Sequence, residues 1–325
     1  MNNELPPRER LSVQFAHPTY QFSLTASARK LGLRHCQTWS NDDTLSCVNK
    51  ADVLVISGLW SDQVLDRAVS LRYIQSISAG YEQFPLDELQ NRGIRLCTAS
   101  GVNADAVSHH AMGLVLSLCR HLYLARDNQG KHNWRPWISE RAQREDDLSE
   151  KTMLIVGLGE IGSRLSRLAK AFGMKVIGVK NQIRKHKGVV DEIYAPEMIN
   201  DLLEIADFSV LCCPLTKGTE NLIDAEAFSK MRSSSYLVNV ARGGCVEEKA
   251  LLKALTEGQI AGAAIDHFSE EPLPSSSPFW SIPNLIITPH SAGETAKYEG
   301  KLIDVLLENL DRLYARKTDL INQVV

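Results

Sequence analysis

The chain has 325 residues, of which 44% are hydrophobic and 23% charged, with a formal net charge of −3. That length suits two domains better than one core, and the balance is that of a globular protein. The weak negative charge gives no electrostatic basis for binding nucleic acid or an anionic membrane, and no run approaches the roughly 18 apolar residues of a spanning helix.

In chain order, residues 1–10 are polar and include Pro6 and Pro7. They have no signal-peptide core, so a cytoplasmic protein is expected. Strands are expected at residues 12–16, 51–57, 73–78 and 94–98, with helices at 23–31, 61–69 and 86–91. This alternation favours a parallel sheet covered by helices. From residue 105 to about 127 one long helix is expected, because Val107, Ala111, Leu114, Val115, Leu118 and Leu122 recur at helical spacing. Residues 128–147 are polar and read as a loop anchored by Trp134, Pro136 and Trp137. A second strand series follows at 153–156, 175–179, 208–212, 236–240, 262–266 and 285–288. These strands are almost continuously apolar, as in a sheet buried on both faces. Helices are expected between them at 161–172, 198–205, 225–231 and 248–257, and a last one at 295–316. The seven cysteines form no C-x-x-C pair and read as free thiols, and no metal site is expected.

The strand at 153–156 runs directly into Gly157-Leu-Gly159-Glu-Ile-Gly162 and then an amphipathic helix. In that setting the three glycines serve a tight turn, backbone approach to a pyrophosphate, and close packing of helix on strand. The phosphates would meet N–H groups at the positive end of the helix. At the end of the next strand, where NAD enzymes carry an acidic residue for the ribose, the chain has Lys180 and Asn181, followed by Arg184, Lys185 and Lys187. Basic side chains attract a 2′-phosphate, so NADP(H) is expected in preference to NAD(H).

Three further segments each begin as an apolar strand and run on into a polar or charged group, namely Arg242, the pair Glu270–Glu271, and His290. In open α/β sheets ligands bind beyond the carboxyl ends of the strands, which would gather these groups near the nicotinamide. Reducing a keto acid builds negative charge on oxygen. A histidine is suited to protonate that oxygen, a carboxylate orients the imidazole, and an arginine grips the substrate carboxylate and polarises the carbonyl. The assignment is His290 as acid/base, a neighbouring glutamate as its partner, and Arg242 as anchor. Spacing alone leaves Glu270 and Glu271 as rivals.

With these motifs, and with Ser78-Ala-Gly80, Gly101-Val-Asn103-Ala, Cys213-Pro214-Leu-Thr, Asn239 to Gly243, Glu271-Pro272 and Pro289-His290, the chain resembles the D-isomer-specific 2-hydroxyacid dehydrogenases along nearly its whole length. The resemblance implies two Rossmann-like, doubly wound parallel-sheet α/β domains with an interdomain active-site cleft. It implies a discontinuous substrate domain, residues 1–102 and 295–325, and a dinucleotide-binding domain, residues 103–294. It implies reversible reduction of a small 2-keto acid, such as glyoxylate or hydroxypyruvate, to the D-2-hydroxy acid, and it selects Glu271 over Glu270. Ser78, Ala79 and Gly80 would hold the substrate carboxylate. Glu160 and Ile161 would lie over the pyrophosphate, Cys213, Pro214 and Thr219 beside the adenosine half, and Val240, Ala241, Asp266, His290 and Gly293 near the nicotinamide. A homodimer through the cofactor domain is implied. Trp60 and Trp280 are candidates for the substrate pocket, and His109 and His110 are expected to be structural. Two other functions stay open: a nucleotide-sensing corepressor of the same fold, and a phosphite- or formate-type dehydrogenase.

Overall fold

The computed structural model describes residues 5–183 and 188–325. The chain divides into two compact units, Met1–Asn103 with Thr295–Val325, and Ala104–Glu294. Among the described residues no helix is long and apolar enough to cross a membrane.

The first unit contains β1 (Ser12–Ala16), α1 (Phe22–Ala28), β2 (Arg34–Thr38), α2 (Asn41–Cys47), β3 (Val53–Ile56), α3 (Gln63–Arg67), β4 (Tyr73–Ser76), α4 (Leu86–Arg92) and β5 (Arg95–Cys97). Its strands form one parallel sheet in the order β2-β1-β3-β4-β5. The two-residue period of a strand sends alternate side chains to opposite faces. Along β3, Val53 and Val55 join a core with Phe15 and Phe22, while Leu54 and Ile56 join another with Val64, Ile74 and Leu89. The C-terminal helix of the chain (Tyr298–Tyr314) lies on the first of these faces. Tyr298, Leu302, Leu306 and Leu310 sit in that core, and Asn309 Nδ2 donates to the buried Tyr73 hydroxyl at 3.0 Å.

The second unit contains α5 (Ala104–Cys119), α6 (Leu122–Gly130), β6 (Thr152–Val156), α7 (Glu160–Ala171), β7 (Lys175–Val179), β8 (Glu192–Tyr194), α8 (Ile199–Leu203), β9 (Phe208–Leu211), α9 (Ala225–Lys230), β10 (Tyr236–Asn239), α10 (Glu248–Thr256), β11 (Gly262–Ile265) and β12 (Leu285–Ile287). Its seven strands are parallel, in the order β12-β11-β10-β9-β6-β7-β8. Both faces are buried here too: Leu154 and Val156 of β6 face one core, Met153 and Ile155 the other. The strand order reverses beside β6, between β7 and β9, which is where open α/β sheets leave a crevice.

Three expectations are corrected. β2 and β8 were not foreseen. Both are edge strands, and β2 reads Arg-His-Cys-Gln-Thr with alternating exposure, so neither carries the apolar run of a central strand. The helix expected over residues 105–127 is two helices, broken at His121, whose φ is +49°. Beyond that break the apolar stripe has no core to face: α6 buries none of its residues, and Leu122 is 52% exposed.

Candidate active site

Gly157 has φ +101°, a conformation that L side chains avoid, and a Cβ there would come within 2.8 Å of the Cys213 backbone. At Gly162 a Cβ would lie 2.1 Å from the Gly157 carbonyl oxygen, so this glycine is needed to seat α7 against the loop. Gly159 differs. It is the N-cap of α7, its φ is −82°, and a Cβ would meet nothing within 4 Å. Gly157 and Gly162 are therefore explained by the fold, whereas Gly159 leaves open space at a helix N-terminus. Open backbone of this kind at a helix N-terminus is able to receive a phosphate group. The acidic Glu160 in this first turn is offset by Arg164, whose guanidinium lies 2.6 Å from both Glu160 and Asp105. Ile161 is half-buried.

Lys180 follows β7, and its Nζ donates to the Leu158 carbonyl at 3.0 Å, placing the cation on the glycine loop. Asn181 is exposed. Arg184, Lys185 and Lys187 lie outside the described residues. Cys213 is buried, its thiol hydrogen-bonded to that of Cys245, and this contact together with burial pushes the Cys213 thiol up. Pro214 is exposed, and the Thr219 hydroxyl donates to its carbonyl at 2.6 Å, so Thr219 braces this loop.

Arg242 ends the turn after β10. Its shape is set by Asn239, which is fully buried: its Nδ2 donates to the Arg242 carbonyl at 2.9 Å, and its Oδ1 accepts from the Ala241 amide at 3.0 Å. Val240 and Ala241 are buried beneath. Gly243 presses on the next strand's exit, where a Cβ would lie 2.1 Å from the Phe268 backbone. The guanidinium itself is exposed, with one Nη donating to the Ala241 carbonyl at 2.7 Å.

His290 Nδ1 lies 2.7 Å from Glu271 Oε2, and the imidazole is 54% exposed. The other carboxylate oxygen, Oε1, accepts from the Phe268 amide at 3.1 Å, which fixes the carboxylate. Among the described residues the carboxylate paired with His290 is that of Glu271. Asp266 is 1% exposed and works inward: it accepts from the Thr288 hydroxyl at 2.5 Å and from the amides of Ser291 and Ala292 at 3.0 and 3.1 Å. It thereby shapes the backbone that presents His290, whose φ is +53°. His110 reaches this same cluster, with Nε2 3.1 Å from Thr288 Oγ1, while His109 is exposed. Gly293 is half-buried beside Ala292.

The sequence reading passed over His267. It is 6% exposed, its ring centroid lies 3.8 Å from that of His290, and its Nδ1 is 3.6 Å from Glu271 Oε1. Burial, reinforced by the neighbouring His290, pushes its pKa down to about 4. Arg242 also bears on that shift, so its charge is felt at the same imidazole.

In the first unit, the Ser78-Ala79-Gly80 turn follows β4 and is braced by hydroxyls. Ser78 Oγ lies 2.7 Å from Ser57 Oγ and donates to the Gly80 carbonyl at 2.9 Å. The Ser78 amide already donates to Ser76 Oγ at 3.2 Å. Trp60 packs on Phe84 with ring centroids 4.8 Å apart, and its Nε1 is buried without an acceptor. Trp280, in the second unit, is 54% exposed and donates to the Pro274 carbonyl at 2.9 Å.

A sequence model of the family described as "D-isomer specific 2-hydroxyacid dehydrogenase, NAD binding domain" matches residues 112–292. The chain is 33% identical over 281 residues to a glyoxylate reductase of Thermofilum pendens, covering 83% of this chain and 80% of that protein. It is 33% identical over 270 residues to glyoxylate/hydroxypyruvate reductase B of Yersinia enterocolitica, covering 82% of each. A crystal structure of a D-isomer specific 2-hydroxyacid dehydrogenase family protein from Aeromonas salmonicida superposes with a TM-score of 0.83 at 28% identity, over 97% of this chain and 99% of that one.

Proposed function

The chain belongs to the D-isomer specific 2-hydroxyacid dehydrogenase family and is an NAD(P)-dependent oxidoreductase of 2-keto and D-2-hydroxy acids, and from that premise we propose that it reduces glyoxylate, hydroxypyruvate or a kindred small keto acid, with His290, Glu271 and Arg242 as its catalytic residues. The 2.7 Å contact between His290 and Glu271 carries this reading. With Nδ1 committed to the carboxylate, Nε2 is the ring atom that can give a proton to the carbonyl oxygen, and the carboxylate holds the ring in that orientation. The dinucleotide, when bound, supplies the hydride. Arg242 spends one Nη on the Ala241 carbonyl, and its remaining N–H groups can grip the substrate carboxylate and polarise the carbonyl.

Residues 1–102 and 295–325 serve as the substrate domain in this proposal and residues 103–294 as the dinucleotide domain. Because the Ser78 amide is taken by Ser76, the amides of Ala79 and Gly80 are the donors proposed for the substrate carboxylate. NADPH is proposed over NADH on the strength of Lys180, a cation where the ribose-binding carboxylate of NAD enzymes would stand. A second copy of the chain is proposed to cover α6 and the following loop, where Trp134 and Trp137 are each 97% exposed.

The test is a panel of keto acids with NADPH and NADH, followed by nicotinamide absorbance. Glyoxylate or hydroxypyruvate should turn over fastest, with NADPH. His290→Ala and Arg242→Ala should each lower kcat/KM by about 100-fold or more. Turnover near wild type in either variant removes that residue from the mechanism. Light scattering on the purified chain decides the dimer, which a monomer at assay concentrations would overturn.

A further inference from the structure

We propose that His267, Glu271 and His290 form a binding site for a divalent cation of the zinc class, and that the ion, once bound, arrests turnover. The three side chains each offer one ligand atom, and those atoms lie within 4.8 Å of one another. The separations suit a single small ion. His290 Nδ1 is 2.7 Å from Glu271 Oε2 and His267 Nδ1 is 3.6 Å from Oε1, the other oxygen of the same carboxylate, so the two imidazoles flank it; bonds of about 2 Å in a tetrahedron put ligand atoms roughly 3.3 Å apart, a spacing these side chains reach with small movements. Two imidazoles and one carboxylate select zinc, cobalt or nickel over magnesium or calcium, which prefer all-oxygen sets.

The surroundings are those of a supported ligand. His267 Nε2 faces Asp266 Oδ2 at 3.5 Å, so a carboxylate stands behind the imidazole and leaves Nδ1 towards the other two groups. A carboxylate behind a histidine is how metal-binding proteins commonly orient that ligand. Asp266 is itself held by Thr288, Ser291 and Ala292. Asp266 and Glu271 put two carboxylates against the imidazole of His267, which favours a cation. Glu271 and His290 are partly exposed, at 35% and 54%, so an ion can enter from solvent and complete its shell with water.

The effect on turnover rests on the mechanism proposed above. A cation on Nδ1 replaces the proton that His290 shares with Glu271. The pair that orients the imidazole for proton transfer is then broken, because both of its members are spent on the ion.

The test uses the full chain, with Zn2+ titrated by calorimetry and Co2+ by visible absorption. One equivalent of Zn2+ should bind, and the Co2+ form should show ligand-field bands without the thiolate charge-transfer band that binding to a cysteine would give. His267→Gln and Glu271→Gln should each weaken Zn2+ binding at least about tenfold, with unchanged melting curves as the check on folding. If Gln at 267 unfolds the chain, Glu271→Gln decides alone. Zn2+ should inhibit keto acid reduction, a chelator should restore it, and half-inhibition in His267→Gln should need at least about tenfold more Zn2+. Absence of binding, equal binding in both variants, or a thiolate band would overturn the site. Zinc binding to a chain that reduces no keto acid would leave the site standing and refute the proposed function instead.

Discussion

Replacing Gly159 by Ala separates the cofactor role of the glycine loop from its folding role. The added methyl meets no protein atom within 4 Å, and φ is −82°, which alanine adopts freely. Loss of a glycine N-cap costs a few tenths of a kcal/mol to about 1 kcal/mol, and the reduced entropy of the unfolded chain returns about 0.4–1 kcal/mol. The melting temperature should therefore stay within a few degrees of wild type. If the pyrophosphate seats on this backbone, the same methyl intrudes on it. An overpacked contact costs about 1–3 kcal/mol, which is roughly a 5- to 150-fold rise in the Kd for NADPH. Gly162→Ala gives the contrast. Its methyl would sit 2.1 Å from the Gly157 carbonyl oxygen, so stability and cofactor binding should fall together. Thermal melts and nicotinamide fluorescence titrations read the two quantities on the same samples. A Gly159→Ala chain that binds NADPH as tightly as wild type would show that the open space at this helix end is not the phosphate cradle.

Other perturbations test other parts of the site. Lys180→Asp should lower the ratio of kcat/KM with NADPH to that with NADH at least about tenfold, since it exchanges a cation for the ribose-binding carboxylate; an unchanged ratio would dismiss Lys180 as the discriminator. Asn239→Ala removes both hydrogen bonds that shape the Arg242 turn and leaves a small void, so it should cost about 2–4 kcal/mol of stability. It should also depress kcat/KM at temperatures where the chain is still folded, and full activity there would mean that the turn holds without it. His267 titrates near 4 in the fold against 6.5 unfolded, so folding favours its neutral form. Its contribution to stability is present above the unfolded value of 6.5 and drains away as the pH falls from there towards 4. Urea melts should accordingly show a flatter acid limb for His267→Gln, and parallel limbs for the two proteins would contradict the assignment.

What could be read beforehand, and what could not, follows from where each residue sits. The central strands β3, β6, β9, β10 and β11 are covered on both faces, so burial imposes near-continuous apolar runs that announce themselves. The edge strands β2 and β8 have a partner on one side only, and their exposed residues are free to be Arg, His, Gln or Glu, which erases the signal. The apolar stripe that suggested one helix across residue 121 was real, but Leu122 and Leu124 turn to the surface rather than to the core, and periodicity does not say what an apolar face will meet. The same distinction governs the site. Arg242, Glu271 and His290 could be singled out as candidates because each follows a strand whose apolar run is itself legible, and in a parallel sheet successive strand ends point the same way. His267 has no such marker. It directly follows Asp266, at the end of a legible strand, and nothing in that position foretells contact with a ring 23 positions further on. The contact exists because β11 and β12 pair in register from Ala263↔Leu285 to Ile265↔Ile287, and because Asp266 then gathers the 288–292 backbone around itself. Register is a property of two strands together, so a residue whose environment depends on it becomes readable only once both strands are placed.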